Sequence, residues 1–101
     1  IVGDGNQKRD FIHVYDIVDG LIKIAFSKIH HDDAWELGTG INYTINQLFN
    51  FFKNRFKVNS FNIPDQPGNY RETLRENDDT LKLLNWMPKD RLEKHINNIK
   101  I

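Results

Sequence analysis

The sequence predicts a single α/β domain over residues 1–101, in which about four helices cover a few short strands. Segments of strand character alternate with segments whose apolar residues recur every three or four positions, and this alternation is typical of helices packed on a small sheet. Length favours one domain, because 101 residues can form one small core but not two. Composition is that of an ordinary globular protein, with 39% hydrophobic and 28% charged residues.

The first strand and helix follow a loop that contains two glycines. Residues 11–14 alternate as a short strand. Asp16 is suited to cap the next helix, because its carboxylate can accept a hydrogen bond from an unpaired amide of the first turn. We expect the helix to run to about residue 27 or 28, with an apolar stripe formed by Ile17, Leu21, Ile24 and Ala25.

The second strand and helix follow a polar loop at residues 30–33. Residues 35–37 predict a short strand, which a Gly-Thr-Gly sequence ends. Thr44 and Gln47 then form a capping-box pattern, in which each side chain bonds to the backbone amide of the other residue. The helix that begins there has a strongly apolar face, made by Ile45, Leu48, Phe49, Phe52 and Phe56.

Two further strands are predicted in the second half of the chain. Residues 60–63 form the first, which Pro64 ends, because proline has no amide proton to donate to a sheet. Residues 65–69 have no strand character and are expected to form a turn or loop. Residues 70–75 alternate enough for a short edge strand.

The chain is predicted to finish with two helices. Asn77 or Asp78 is suited to cap the first, and Asn85 to end it in the left-handed conformation. Pro88 prevents that helix from continuing. The last helix is therefore predicted separately, over residues 91–99.

Charge and cysteine content narrow the classes of function. Fourteen basic and fourteen acidic residues give a net charge of zero, which argues against a nucleic acid or a membrane surface as partner. No apolar run approaches the roughly 20 residues that a membrane span needs. The sequence has no cysteine, which is typical of a reducing compartment, so we expect a cytoplasmic location. Because the chain begins with Ile1 inside a strand-like pair, we expect the C-terminal piece of a larger protein.

Arg9 is the first candidate binding residue. It follows a glycine-containing loop, where a backbone can approach a ligand closely, and its planar guanidinium can bind a phosphate or carboxylate through two hydrogen bonds. The alternative is a surface salt bridge to Asp10 or Asp16, since isolated arginines are usually solvated.

Arg71 and Arg75 form the second candidate. They lie four residues apart in the predicted edge strand, so strand alternation directs both side chains to one side. Two guanidinium groups on one face suit a diphosphate. The alternative is an exposed edge strand whose charges prevent aggregation.

No pattern predicts a metal site or catalysis by this chain alone. Residues 30–33 contain histidine and aspartate, but adjacent side chains in a loop rarely converge on one ion, so we expect a solvated loop. His13 is expected to be a hydrogen-bonded structural residue, and His95 to lie on a helix surface. No tyrosine is followed four residues later by lysine, and neither Gly-x-Gly sequence has the third glycine of a dinucleotide fingerprint. We therefore assign no catalytic, cofactor-binding or metal-binding residue.

Three segments resemble motifs of one enzyme family. Residues 3–16 closely resemble the GxGxxxRDFxxVxD segment of the extended short-chain dehydrogenases/reductases, the NAD-dependent sugar-nucleotide epimerases and dehydratases. Residues 35–48 are similar to their NxGxGxxxSxxEL segment, and residues 67–88 to their PGDxRxxxxDxxKAxxxLGWxP segment. The three segments occur in the family's order and span nearly the whole chain, so the resemblance is specific.

The resemblance implies the C-terminal substrate-binding domain of such an enzyme, a fragment of a Rossmann-fold protein similar to the UDP-glucose 4-epimerases. The missing N-terminal domain would bind NAD and carry a catalytic Tyr-x-x-x-Lys pair, so the fragment by itself is expected to be inactive. The implied substrate is a nucleoside-diphosphate sugar, and the parent enzyme is expected to be a homodimer.

The same resemblance implies substrate-binding roles for three residues. Arg9 occupies the position whose arginine contacts the nucleotide diphosphate, and Arg71 occupies a second such position of several members. Glu76 is nearest to the acidic residue that helps to hold the ribose or its loop. A register one residue further along would place Asn77 there.

The chain also departs from the family pattern. Gln66 stands where the galactose epimerases have an arginine, and Asp79 and Thr80 replace the usual Lys-Ala pair. The nucleotide and the sugar are therefore left open, as is the choice among epimerisation, dehydration and decarboxylation. The same departures keep an alternative function open, a non-catalytic module that binds a sugar nucleotide or another protein.

Overall fold

The computed structural model describes residues 1–32 and 34–100, and within them it contains four helices and one two-stranded sheet. Asp33, part of the loop predicted at residues 30–33, lies outside the described residues. The small α/β class is confirmed. The elements in chain order are β1 (Lys8–Arg9), α1 (Val14–Phe26), β2 (Tyr43–Thr44), α2 (Ile45–Phe56), α3 (Asp79–Leu84) and α4 (Leu92–Asn97).

The sheet is centred on β1. Strand β2 pairs with it antiparallel, with Lys8 opposite Thr44 and Arg9 opposite Tyr43. On its other side the Lys8 amide donates to the Arg71 carbonyl at 2.8 Å, and the Lys8 carbonyl accepts from the residue 73 amide at 3.0 Å. The segment that carries Arg9 is therefore held from both sides, once by the start of α2 and once by residues 71–73.

The strands predicted at residues 11–14, 35–37, 60–63 and 70–75 are wrong as continuous strands. Among the described residues, the third and fourth segments contribute only single parallel bridges, from Ile63 and Glu72. A strand forms where successive backbone groups find partners on a neighbouring chain segment, and alternation along one segment does not supply that partner.

Helix α1 begins before Asp16, the residue predicted to cap it. The cap is His13, whose Nδ1 accepts a hydrogen bond from the Tyr15 amide at 3.0 Å. This confirms the prediction that His13 is a hydrogen-bonded structural residue, and it corrects the expected capping role of Asp16. Asp16 lies in the first turn of α1 instead, with only 6% of the residue exposed.

The most buried part of the molecule is the contact of α1 with the segment that follows α3. Trp86 is 0% exposed, and its indole Nε1 donates to the Asp16 carbonyl at 2.9 Å. Gly20 permits this approach, because a Cβ there would lie 2.8 Å from the Leu37 side chain and 3.1 Å from the indole. Thr80, 1% exposed, donates its hydroxyl to the carbonyl of residue 36.

The remaining helix ends follow the predicted chemistry in part. Thr44 and Gln47 form the complete capping box at the start of α2, as predicted. Asn85 ends α3 with φ of 52°, as predicted. Asp78 stands at the first end of α3 but makes no capping bond, and the side chain that accepts from the residue 79 amide is that of Asn77.

Helix α4 is shorter than the predicted span of residues 91–99. His95 is exposed on it, as predicted. Arg55 of α2 donates to the carbonyls of Asn97 and Ile99, at 3.2 and 2.8 Å. These bonds satisfy carbonyl groups at the end of α4 and attach that helix to α2.

The molecule is thin, with extents of 48 × 34 × 16 Å. Its radius of gyration is 16.1 Å, against about 13 Å for a compact domain of this length. One side of α1 is apolar and exposed, with the side chains of Val14, Tyr15, Val18, Leu21, Ile22 and Phe26. Among the described residues, each helix is too short or too polar to cross a membrane.

Candidate functional site

Arg9 lies in the wall of a surface cavity of about 350 Å³. We call it the Arg9 cavity. The turn at residues 66–69, which was predicted as a loop, also lines it. The remaining lining residues are Val2, Gln7 and Ile45.

The loop before Arg9 turns at two glycines and packs against the start of α2. Gly3 and Gly5 have φ of 65° and 77°, a conformation that other residues rarely adopt. A Cβ at Gly5 would lie 2.2 Å from the Asn46 side chain, which fills that position. Asn46 also donates to the Asp4 carbonyl at 3.1 Å. The loop is therefore fixed to the start of α2.

The guanidinium of Arg9 is bound by neutral acceptors. Its Nη2 donates to Oδ1 of Asn69 at 2.6 Å, and its Nη1 to the Lys8 carbonyl at 2.8 Å. The alternative of a salt bridge to Asp10 or Asp16 is not formed, because both carboxylates accept hydrogen bonds elsewhere. Among the described residues Arg9 thus keeps its positive charge without an ion-pair partner.

Arg71 has an acidic partner. Its Nη1 and Nη2 donate to Oδ1 and Oδ2 of Asp4, each at 2.9 Å. The side chains of Arg71 and Asp4 are 64% and 54% exposed. The hydrogen bond from Arg71, helped by one from the Asn6 amide, lowers the pKa of Asp4 to about 2.

The two arginines belong to one polar cluster. Asn69, which accepts from Arg9, donates its Nδ2 to Oδ1 of Asp65 at 3.0 Å. The pKa of Asp65 is lowered, first by this bond and also by the charge of Arg71. We call these five residues (Asp4, Arg9, Asp65, Asn69 and Arg71) the loop cluster. Asn69 and Asp65 therefore link Arg9 to Arg71 indirectly, and Arg71 lies outside the lining of the Arg9 cavity.

The predicted pairing of Arg71 with Arg75 on one face is wrong. The side chain of Arg75 is only 9% exposed. It donates to the Gly38 carbonyl at 2.7 Å and to Asp78 at 2.9 Å, while its Nε has no partner among the described residues. The segment is not a regular strand, so its side chains do not alternate, and Arg75 packs inside the molecule.

Glu76 is not brought to the Arg9 cavity. It lies just before α3, where its side chain is exposed. The amides of Glu76 and Asn77 donate to the Glu36 carboxylate at 3.0 and 2.9 Å. This part of the segment is therefore fixed by its backbone and leads into α3.

Sequence reasoning missed two members of the loop cluster that hold the arginines, Asp4 and Asn69. Asp4 stands between two glycines, and Asn69 directly follows a Pro-Gly step, so both positions were visible as turns. No sequence signal connected them to Arg71 and Arg9. Asp4 is 67 residues from Arg71 along the chain, and Asn69 is 60 residues from Arg9.

The loop at residues 30–32 is only partly solvated. His30 and Asp32 are exposed, as predicted. His31 instead stacks on Trp35 at 4.1 Å and meets Asp79 at 3.0 Å, with its side chain 10% exposed. Within residues 1–32 and 34–100, no three acidic or histidine side chains are grouped to hold a metal ion.

The sequence is similar to one family of known enzymes. A profile of the NAD dependent epimerase/dehydratase family matches residues 1–38. UDP-glucose 4-epimerase of Bacillus subtilis (strain 168) is 31% identical over 98 residues, which cover 89% of this chain and 28% of that protein. UDP-glucose 4-epimerase of Caenorhabditis elegans is 36% identical over 70 residues, covering 64% of this chain and 19% of that protein.

Solved structures share the fold. UDP-glucose 4-epimerase from Thermotoga maritima with UDP-glucose has a TM-score of 0.83 at 28% identity, covering 96% of this chain and 31% of that one. UDP-N-acetylglucosamine 4-epimerase from Methanobrevibacter ruminantium M1, in complex with UDP-N-acetylmuramic acid, has a TM-score of 0.78 at 27% identity, with the same coverage. The chain spans less than a third of each of these proteins. Taken together, these likenesses show that the chain belongs to the NAD-dependent epimerase/dehydratase family.

Proposed function

We propose that the chain is the substrate-binding part of a longer NAD-dependent enzyme that epimerises or dehydrates a nucleoside-diphosphate sugar. Its role is to anchor the diphosphate at the Arg9 cavity. In this proposal Arg9 is the first anchor and Arg71 the second. For Glu76 the role implied by the family resemblance stays a prediction.

The observation that carries the proposal is the charge of Arg9. Its guanidinium stands in the wall of an open cavity and is held by Asn69 and a carbonyl, neither of which neutralises it. A guanidinium presents paired N–H groups that match two phosphate oxygens. The two anchoring bonds also limit the side chain's freedom, which lowers the entropy lost when a ligand binds.

The relatives support the class of ligand. Two structures that are more than 25% identical to this chain contain UDP-glucose and UDP-N-acetylmuramic acid. Both ligands contain a diphosphate, while their sugars differ. The shared group is therefore the one that we assign to Arg9, and the sugar is left to the rest of the enzyme.

The described residues do not form a dinucleotide site, so we place the NAD site on another part of the parent enzyme. The Gly3 to Gly5 turn leads into a two-residue strand, whereas a dinucleotide fingerprint opens a helix. In addition, the Asn46 side chain occupies the space beside Gly5 that a pyrophosphate would need. No step of the redox chemistry is assigned to this chain.

The test is Arg9→Ala in the longer parent enzyme, with UDP-glucose and UDP-N-acetylglucosamine as substrates. We expect KM to rise at least about tenfold with a smaller change in kcat, because the lost contact binds a part of the substrate that does not react. Lys8→Ala is the matched control, since it removes the neighbouring exposed charge and should leave KM within about twofold. An unchanged KM in the Arg9 variant would remove the anchoring role.

A second candidate function is a non-catalytic binding or interaction module, which the replacement of the family's Lys-Ala pair favours. In the structure these two residues have local roles. Asp79 meets His31, and Thr80 is buried against residue 36. Turnover of a UDP-sugar by the parent enzyme decides between the two functions, because the module predicts binding without turnover.

A further inference from the structure

The two arginines of the loop cluster differ in how their charge is met. Arg9 donates only to neutral oxygens. Arg71 faces a carboxylate, and both oxygens of Asp4 accept from it at 2.9 Å. This is the geometry in which a guanidinium binds two oxygens of a phosphate. Asp4 therefore occupies the position that an anionic ligand would take on Arg71.

Asp4 is held in this position by its own loop. It stands between Gly3 and Gly5, both with positive φ, and its Oδ1 also accepts from the Asn6 amide at 2.8 Å. The side chains of both partners remain more than half exposed. The carboxylate is thus fixed beside Arg71, while an incoming ligand can still reach the pair.

We infer that Asp4 is an internal competitor for the ligand's diphosphate, which occupies Arg71 and is exchanged for a phosphate group when the diphosphate binds at Arg9. The inference rests on the function proposed for the Arg9 cavity. An exposed ion pair contributes little stability, so the exchange is inexpensive. A diphosphate carries more charge than one carboxylate, which favours the exchange.

The exchange makes binding depend on the second phosphate group. A ligand with a single phosphate can neutralise Arg9, but it gains nothing by displacing Asp4 unless it also reaches Arg71. Asp4 thereby lowers the affinity most for an anion that needs Arg71, because that anion must displace the Asp4 carboxylate. Removal of the Asp4 charge should consequently tighten binding.

The experiment is an NMR titration of the isotope-labelled chain with UDP and, separately, with inorganic pyrophosphate. Asp4→Asn keeps the acceptor for the Asn6 amide and removes the charge. We expect it to lower Kd for both anions about three- to fivefold. Asp19→Asn, which removes an exposed charge on α1, is the matched control and should leave Kd within about twofold.

A second variant tests whether the tighter binding depends on Arg71. In Arg71→Gln, Asp4→Asn should no longer tighten binding, because no guanidinium is released. In the original chain, saturating UDP should move the Asp4 carboxyl ¹³C signal toward its position in Arg71→Gln, because both changes remove the same ion pair. A carboxyl signal that stays in place under saturating UDP overturns the exchange.

The outcomes separate this inference from the proposed function. If Asp4→Asn leaves Kd unchanged or weakens binding while Arg9→Ala still weakens it, the exchange is wrong and the cavity keeps its function. Weaker binding in Asp4→Asn would mean that the ion pair only holds the loop in place. If Arg9→Ala does not alter the binding of UDP or pyrophosphate, both proposals fail together.

Discussion

Two aspartate–arginine pairs, one in each of two regions, show how burial changes the meaning of the same contact. In the corner where α1 meets Trp86, Asp16 accepts from Arg91 at 2.9 and 3.2 Å. In the loop cluster, Asp4 accepts from Arg71 at 2.9 Å. The side chain of Asp16 is 9% exposed and that of Asp4 is 54% exposed. The distances are nearly equal, and the surroundings are not.

The difference in burial decides how much stability is lost when each pair is broken. A buried carboxylate that loses its partner is left without water, so the loss is expensive. An exposed carboxylate that loses its partner is hydrated instead. In both pairs the hydrogen bond from arginine is the first cause of a lowered aspartate pKa, and at Asp16 burial opposes it. The buried pair therefore stabilises the fold, whereas the exposed pair can be lost at little cost.

The largest expected effect is on the buried corner. Trp86→Ala removes a fully buried indole and its hydrogen bond to the Asp16 carbonyl. We expect it to lower the free energy of unfolding by about 3–5 kcal/mol, measured by urea denaturation. Met87→Ala, at a side chain 75% exposed, is the control and should change it by less than about 0.5 kcal/mol. Equal effects at the two positions would show that the corner is not the stable part of the molecule.

The next largest effect is expected when the buried Asp16–Arg91 pair is broken. Asp16→Asn keeps the shape of the side chain and removes its charge, so the bonds from Arg91 and the Lys89 amide weaken. The free energy of unfolding should fall by about 2 kcal/mol. Asp19→Asn on the exposed side of α1 is the matched control and should change it by less than about 0.5 kcal/mol. A smaller loss in Asp16→Asn than in the control would contradict the role given to burial.

The other side of α1 sharpens the comparison, because its apolar side chains are exposed rather than buried. We expect the isolated chain to self-associate through this surface at high concentration, as measured by light scattering. Phe26→Glu, at a side chain 84% exposed, should reduce the mean mass, whereas Lys28→Glu nearby should not. A monomer at all concentrations would argue against this surface as a site of association.

The smallest effect is on the exposed pair. Because the pKa of Asp4 is lowered from 3.8 to about 2, its ion pair contributes stability above pH 4 and loses it as the pH falls through about 2. In Arg71→Gln the Asp4 pKa should return toward 3.8, as read from its carboxyl ¹³C signal. The urea midpoint at pH 7 should shift less than in Asp16→Asn. An unchanged Asp4 pKa in that variant would mean that Arg71 is not its cause.

How much the sequence predicted depended on the range of each interaction. The capping box of α2 and the left-handed Asn85 were predictable, because both depend on residues within one helical turn. The strands were not, since pairing needs a second segment that the pattern of the first does not identify. The same limit applied to Arg75, which was assigned to a strand face and lies 9% exposed against Gly38 and Asp78.

The sequence alone predicted the family and the α/β class, and it identified the loop that carries Arg9 as a candidate site. Only the tertiary structure decided which charges meet. Asp16 was suited to a helix cap and is instead bound to Arg91, 75 residues away, and Asp4 is bound to Arg71, 67 residues away. Any of the fourteen acidic residues is chemically able to pair with any arginine. The folded chain selects among them, because an ion pair needs two side chains within about 4 Å, whatever their separation along the sequence.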